Sequence, residues 1–220
     1  SNDPRKQRLC FDLPPDAPPR QAPSDPGAIR RLLRRELKIS DRDYVVLMVG
    51  SGFRTKGADR AMKAIAALPP ELRRRTVLVI IGHDNFRPFR RLARRLNILS
   101  QIIFFHGRDD IPRFLFSADL LMHPAYRETT GLVLIEAMAA GLPVLATDVC
   151  GYSHYIAEAR AGWLVPSPFH QNALNRMLAD MLQSPQREDW RRNGRDYIAR
   201  RDVFSMHSKA ADIIEQVAIC

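Results

Sequence analysis

The chain has 220 residues, 45% hydrophobic and 26% charged, with three cysteines and a formal net charge of +10. That balance supports a sizeable core in one large or two small domains, and no apolar run reaches membrane-spanning length. Cys10, Cys150 and Cys220 are odd in number and far apart, which excludes a disulfide framework or zinc spacing and predicts a reducing cytoplasm.

No signal-peptide pattern opens the chain. The first residues, SNDPRKQR, lack an initiating Met and read as a cut end. The basic residues are mostly arginine. Arg30-Arg31, Arg34-Arg35, Arg73-Arg74-Arg75 and Arg94-Arg95 fall on predicted helix faces or turns. Solvated helix faces explain them. The sharper readings are an anionic membrane surface or nucleic acid. No interleaved aromatic platform or nucleic-acid motif supports the latter.

Residues 1–28 are proline-rich and read as linker, with a short apolar piece at 9–11 as a possible strand. Helical spacing of Ile29, Leu32, Leu33 and Leu37 predicts a helix over 29–38. A regular alternation follows. Strands are predicted at 44–50, 76–82, 102–107, 120–124, 143–148 and 162–166. Helices are predicted at 58–68, 88–96, 111–118, 131–140 and 151–158. Helices at 170–183, 187–200 and 205–218 close the chain. Short continuous apolar strands alternating with helices predict a parallel sheet covered on both faces, a single Rossmann-like doubly wound α/β domain over 29–220. In such sheets ligands bind outside the carboxyl ends of the strands. That gathers the loops at 50–57, 82–86, 106–110, 123–131 and 148–151 on one edge.

The loop Gly50–Gly57, GSGFRTKG, follows a strand and precedes a helix. It fails the P-loop pattern, because Thr55 precedes Lys56 and Gly57 follows it. It also fails the dinucleotide fingerprint, because Thr55 stands where the third glycine belongs. Arg54 and Lys56 suit phosphate oxygens, and they equally suit a solvated loop. In the loop His106–Asp110, Gly107 predicts an unusual backbone conformation at the strand end, and Arg108 suits stacking on a base. Asp109 or Asp110 is expected to cap the helix at Ile111 rather than bind metal.

The stretch from Pro124 to Pro143 runs from a polar loop into an apolar helix. Seven residues separate Glu128 from Glu136. Thr129, Thr130 and Gly131 stand where the helix begins, and free N–H groups there suit an anion. Two acids beside an anion suit hydroxyls on either side of it. Spacing alone still favours a surface acid at Glu128 and an arginine partner for Glu136. His83, His106, His123 and His154 each read as structural. No nucleophile elbow or HExxH appears.

Taken together, VGSGFRTKGADR, FFHGRDDIPRF, ADLLMHPAYRETTGLVLIEAMAAGLPVLATDVCGYSHYIAEA and WLVPSPF resemble the C-terminal half of a retaining GT-B glycosyltransferase. More narrowly, residues 29–218 resemble the family that includes the bacterial lipopolysaccharide core glucosyltransferases. LPPDAPP, residues 13–19, resembles its interdomain segment, with Asp16 where a glycine is usual.

The resemblance implies a domain that binds a sugar nucleotide, UDP-glucose, as donor substrate, with no cofactor and no metal. Lys56 would meet the diphosphate. The usual second basic group falls at Thr55, so Arg54 is expected to substitute. Arg108 would lie against the uracil and Glu128 would bind hydroxyls of the transferred sugar. The N–H groups of Thr130, Gly131 and Leu132 would meet phosphates or sugar, and Glu136 the ribose. Ser51 and Gly52 complete the donor-binding set. Glu128, Lys56 and Arg54 form the catalytic set. The family implies retention of configuration by front-side displacement, onto an inner-core heptose of lipopolysaccharide. The acceptor would be bound by an N-terminal domain that this length leaves no room for, so the chain is expected to be inactive in transfer by itself. Ile213, Ile214 and Val217 on the last helix would then be exposed and favour self-association. A cytoplasmic location is expected, with peripheral contact to an anionic membrane and no nucleic-acid partner. Another sugar nucleotide or acceptor, or a non-catalytic basic nucleotide-binding module, are the alternatives.

Overall fold

The computed structural model describes residues 25–201. The expected strand at 9–11, the helix at 205–218 with Ile213, Ile214 and Val217, and Cys10 and Cys220 lie outside the described residues.

Six strands form one parallel sheet: β1 Tyr44–Val49, β2 Thr76–Ile81, β3 Ile102–Phe105, β4 Leu120–His123, β5 Val144–Thr147 and β6 Gly162–Val165. Their order is β3-β2-β1-β4-β5-β6. This is the predicted doubly wound sheet: all strands run parallel, and the direction in which successive strands are added reverses between β1 and β4. The helices are α1 Pro26–Glu36, α2 Ala58–Ala66, α3 Pro70–Arg74, α4 Arg87–Arg95, α5 Ile111–Ser117, α6 Leu132–Ala139, α7 Ser153–Ala159, α8 Gln171–Gln183 and α9 Arg187–Arg200.

Side chains alternate across each strand, so both faces are apolar. Val45, Leu47, Val79, Ile81, Leu121 and Val144 pack under α1, α5, α6 and α7. Val46, Met48, Leu78, Ile80, Met122 and Leu145 pack under α2, α3, α4 and α8. Helix α9 serves both layers, giving Trp190 to the second and Ile198 to the first. Each fully buried Leu, Ile or Val contributes roughly 1.5–3 kcal/mol. This double burial is why the strands read as unbroken apolar runs.

Helix α1 starts at Pro26, ahead of the predicted residue 29. Asp25 accepts a hydrogen bond from the Ala28 N–H at 2.8 Å, and Pro26 fills the first helical position. The same chemistry explains α3, where no helix is predicted. Pro69-Pro70 ends α2, and Pro70 then opens a short new helix. Two further expectations are corrected. Asp110 stands at the N-cap of α5, but its side chain makes no capping bond; it binds Arg108 and Arg113 instead. Gly107 has no positive φ; it lies against the His83 imidazole, which a Cβ there would displace. Among the described residues no helix is long and apolar enough to cross a membrane.

Candidate active site

The strand order places β1 beside β4, and their following helices leave for opposite faces: α2 packs in one layer and α6 in the other. The loops at 50–57 and 124–131 therefore diverge, and a crevice opens between them at the carboxyl edge of the sheet.

Each loop is fixed by its neighbours, and Phe53 and Asp84 carry much of this without any signal in the sequence. Phe53 is fully buried and packs on Phe86 and Phe89, with ring centroids 5.8 and 5.5 Å away. The N–H groups of Gly52 and Phe53 donate to Asp84 Oδ2 at 2.7 and 3.3 Å, and the His83 N–H donates to Ser51 Oγ at 3.0 Å. Ser51 and Gly52 thus belong to a loop tied to its neighbour at 82–86. The two crevice loops also touch. Gly57 has φ +78, and a Cβ there would overlap the Pro124 carbonyl oxygen. The Tyr126 N–H donates to the Thr55 carbonyl at 2.8 Å. Arg60 lies 3.5 Å over the Tyr126 ring and 3.6 Å over Phe169, and donates to the Ala125 carbonyl at 2.9 Å.

The stretch Glu128–Thr130 is braced from its other side. Gly151 N–H donates to the Glu128 carbonyl at 3.3 Å, and Tyr152 N–H to the Thr130 carbonyl at 2.8 Å. Gly131 is the N-cap of α6 in the left-handed region, φ +83, and no side chain caps this helix. A larger residue would be strained at that φ. Leu132 is the first residue of α6, and Glu136 lies half-buried farther along it.

Lys56 Nζ forms an ion pair with Glu128 Oε2 across the crevice. His123, at the end of β4, is 1% exposed, and its Nε2 lies 3.1 Å from the same oxygen. The hydrogen bond from His123 and the charge and hydrogen bond of Lys56 outweigh burial and hold the Glu128 carboxyl down at about 2. His123 is therefore part of the constellation. Its sequence signal was an isolated His after an apolar run, which does not distinguish this from a packing role.

A cavity of about 390 Å³ lies here, lined by Thr55, Lys56, Arg127, Glu128, Thr129 and Val149. Arg54 does not face it. That side chain lines an adjoining cavity of about 840 Å³ together with Phe89, Leu92, Arg95, Tyr126 and Arg127. Arg108 sits apart at the end of β3. Its guanidinium is 2.6 and 2.8 Å from Asp110 and 5.3 and 5.2 Å from the rings of Phe105 and Phe114. The structure thus joins Lys56, Glu128 and the start of α6. It leaves Arg108 apart at the end of β3, Glu136 on the second turn of α6 and Arg54 in the adjoining cavity. Among the described residues no group of three or more His, Cys, Asp or Glu could hold a metal. Cys150 is buried, and burial pushes its thiol up to about 11, the setting of a structural cysteine.

The family model "Glycosyl transferases group 1" matches residues 29–197. The chain belongs to this family. Over 186 residues this group 1 glycosyltransferase chain is 47% identical to the lipopolysaccharide glucosyltransferase WaaG of Escherichia coli K12, covering 84% of this chain and 50% of that protein. It is 32% identical to a D-inositol 3-phosphate glycosyltransferase of Streptomyces scabiei, covering 73% of this chain and 38% of that protein. The crystal structure of WaaG superposes with a TM-score of 0.86 at 44% identity, over 92% of this chain and 55% of that one. Anabaena HepE, solved with UDP, shares the fold at 22% identity, with a TM-score of 0.74 over 86% of this chain and 53% of that one. The chain spans about half the length of the WaaG sequence or less of the other curated relative.

Proposed function

We propose that this chain is the donor-binding half of a retaining glucosyltransferase that takes UDP-glucose and transfers glucose to an inner-core heptose of lipopolysaccharide. One observation carries the reading: Lys56 and Glu128 meet beside the N-terminus of α6, which no side chain caps, at the point where the strand order reverses. The likeness to a lipopolysaccharide glucosyltransferase supports glucose and this acceptor class.

In this reading the diphosphate lies between Lys56 and the first N–H groups of α6, at Thr130, Gly131 and Leu132. Negative charge grows there as the bond from the sugar C1 to the diphosphate oxygen breaks. A lysine and a helix N-terminus stabilise that charge without a metal. An acceptor hydroxyl oxygen bonds to C1 on the same face, and its proton passes to a phosphate oxygen. Glu128 orients the sugar through its hydroxyls, Glu136 holds the ribose and Arg108 the uracil. Arg54, facing the adjoining cavity, joins the diphosphate only by swinging inward. The acceptor is supplied by a partner domain.

Calorimetric titration with UDP, UDP-glucose, a GDP-sugar and an oligonucleotide tests the reading. UDP and UDP-glucose should bind best, and Glu136→Ala should weaken both by about tenfold, the worth of one hydrogen bond to a charged group. Oligonucleotide or GDP-sugar binding that beats UDP would overturn it.

A peripheral contact with an anionic membrane is part of the same proposal. Arg87, Arg90, Arg91, Arg94 and Arg95 on α4 are all exposed and, among the described residues, none is ion-paired. Such a face gains on the order of 1 kcal/mol per arginine near an anionic surface. The chain should co-sediment with phosphatidylserine vesicles at low salt and be released at high salt. Equal retention on neutral vesicles would sink this part.

A further inference from the structure

We infer that His123 is a positioning residue: it holds Oε2 of Glu128 so that Oε1 stays aimed at the donor sugar after Lys56 has turned to the diphosphate. The inference rests on the sugar-nucleotide reading above.

Lys56 and His123 both reach Oε2 of Glu128, and among the described residues Oε1 accepts no hydrogen bond. The two holders differ in kind. Lys56 is a flexible ammonium, 22% exposed, on the loop that would receive the phosphates. Phosphate oxygens compete for the same Nζ hydrogens. His123 is 1% exposed and locked at the end of β4, where its backbone pairs with Ala146 of β5. It cannot follow the phosphates. An ionised carboxylate only accepts hydrogen bonds, so Nε2 carries the hydrogen in this contact.

The other ring nitrogen strengthens the case. Nδ1 is buried with no hydrogen-bond partner among the described residues. A buried polar atom left unpaired is costly, and an apolar side chain would fill this space without that cost. What the histidine adds is the Nε2 donor, and the donor's target is Glu128.

The test separates a positioning role from a structural one. Dissociation constants for UDP and for UDP-glucose are measured with the wild-type chain, His123→Phe and His123→Gln. Glutamine can present an amide N–H where Nε2 stood; phenylalanine presents nothing. His123→Phe should weaken UDP-glucose about tenfold while leaving UDP within about twofold, and His123→Gln should restore UDP-glucose to within about threefold of wild type. If His123→Phe does not fold, His123→Asn serves, since its amide is too short to reach Glu128 and should behave as Phe. UDP binding that persists shows that the variant is folded. Equal losses for UDP and UDP-glucose, or no loss for either, would overturn the inference alone. A wild-type chain that binds neither ligand would overturn the functional reading and this inference with it.

Discussion

Asp119→Ala should destabilise the fold by about 3–5 kcal/mol and leave UDP affinity unchanged. Asp119 is 5% exposed at the amino-terminal end of β4, the edge of the sheet away from the crevice. Oδ2 accepts from Arg34 Nη2 at 2.6 Å and from the Val45 N–H at 2.7 Å, and Oδ1 accepts from Arg30 Nη2 at 2.7 Å. Arg34 is 1% exposed, and burial pulls its pKa below the usual arginine value, opposed by the charge of Asp119. Removing the carboxylate leaves a buried guanidinium uncompensated and one strand N–H unpaired. Arg34 keeps its bonds to the carbonyls of Ser40 and Asp43, at 2.8 and 2.9 Å, so it cannot simply swing into water. A loss of that size is a large share of the roughly 5–15 kcal/mol that holds an ordinary domain. The midpoint of thermal unfolding should fall by about 10–15 °C. A buried ion pair is weak evidence for net stability, and the harm lies in the orphaned charge. Replacing both partners, Asp119→Ala with Arg34→Met, should therefore recover part of the loss. Urea unfolding of the two variants decides it; a loss below about 1 kcal/mol for Asp119→Ala would show that Arg34 is rescued by water.

The sheet was legible because burial on both faces leaves continuous apolar runs such as Val45–Met48 and Leu78–Ile81, and those survive in the sequence as a signal. Element ends were less so. Whether Pro70 closes α2 or opens α3 depends on the turn between, and both use proline for the same reason. The site was half legible. Lys56 and Glu128 each carried a local hint, but their meeting requires β1 and β4 to be neighbours, and alternation of strands and helices does not fix strand order. The direction of Arg54 was beyond reach for a similar reason. It and Lys56 are two residues apart, yet the loop turns them into different cavities around the buried Phe53. His123 was invisible because its partner is a loop carboxylate with no periodic relation to it. Contacts between segments distant in sequence decide the meeting of Lys56 with Glu128.

Lys56→Ala should weaken UDP binding about 10- to 100-fold, the worth of one charge-assisted hydrogen bond, whereas Glu128→Gln should leave UDP binding unchanged or slightly stronger. The opposite signs distinguish a site from a structural ion pair, whose two halves would do similar harm. Lys56 is held by Glu128, so a phosphate must compete with the carboxylate for it. Removing the carboxylate's charge releases the lysine to the phosphate. Removing the lysine takes away the positive charge that the diphosphate needs. UDP-glucose should behave differently from UDP in Glu128→Gln, losing affinity because the sugar hydroxyls lose an ionised acceptor. Protonation of Glu128 cannot imitate these results at ordinary pH. Its pKa is lowered from 4.5 to about 2, with the His123 hydrogen bond as the largest cause. A depressed carboxyl contributes stability that is fully present above its unfolded value and lost as pH falls through the folded one. For Glu128 that window lies between about 4.5 and about 2. His123 remains in Lys56→Ala, so the carboxylate there should still be ionised at pH 6, and the loss of UDP affinity should be the same at pH 6 and pH 8. A Lys56→Ala defect that appears at one pH and vanishes at the other would mean that the lysine acts by setting the charge of Glu128 and not by meeting the diphosphate.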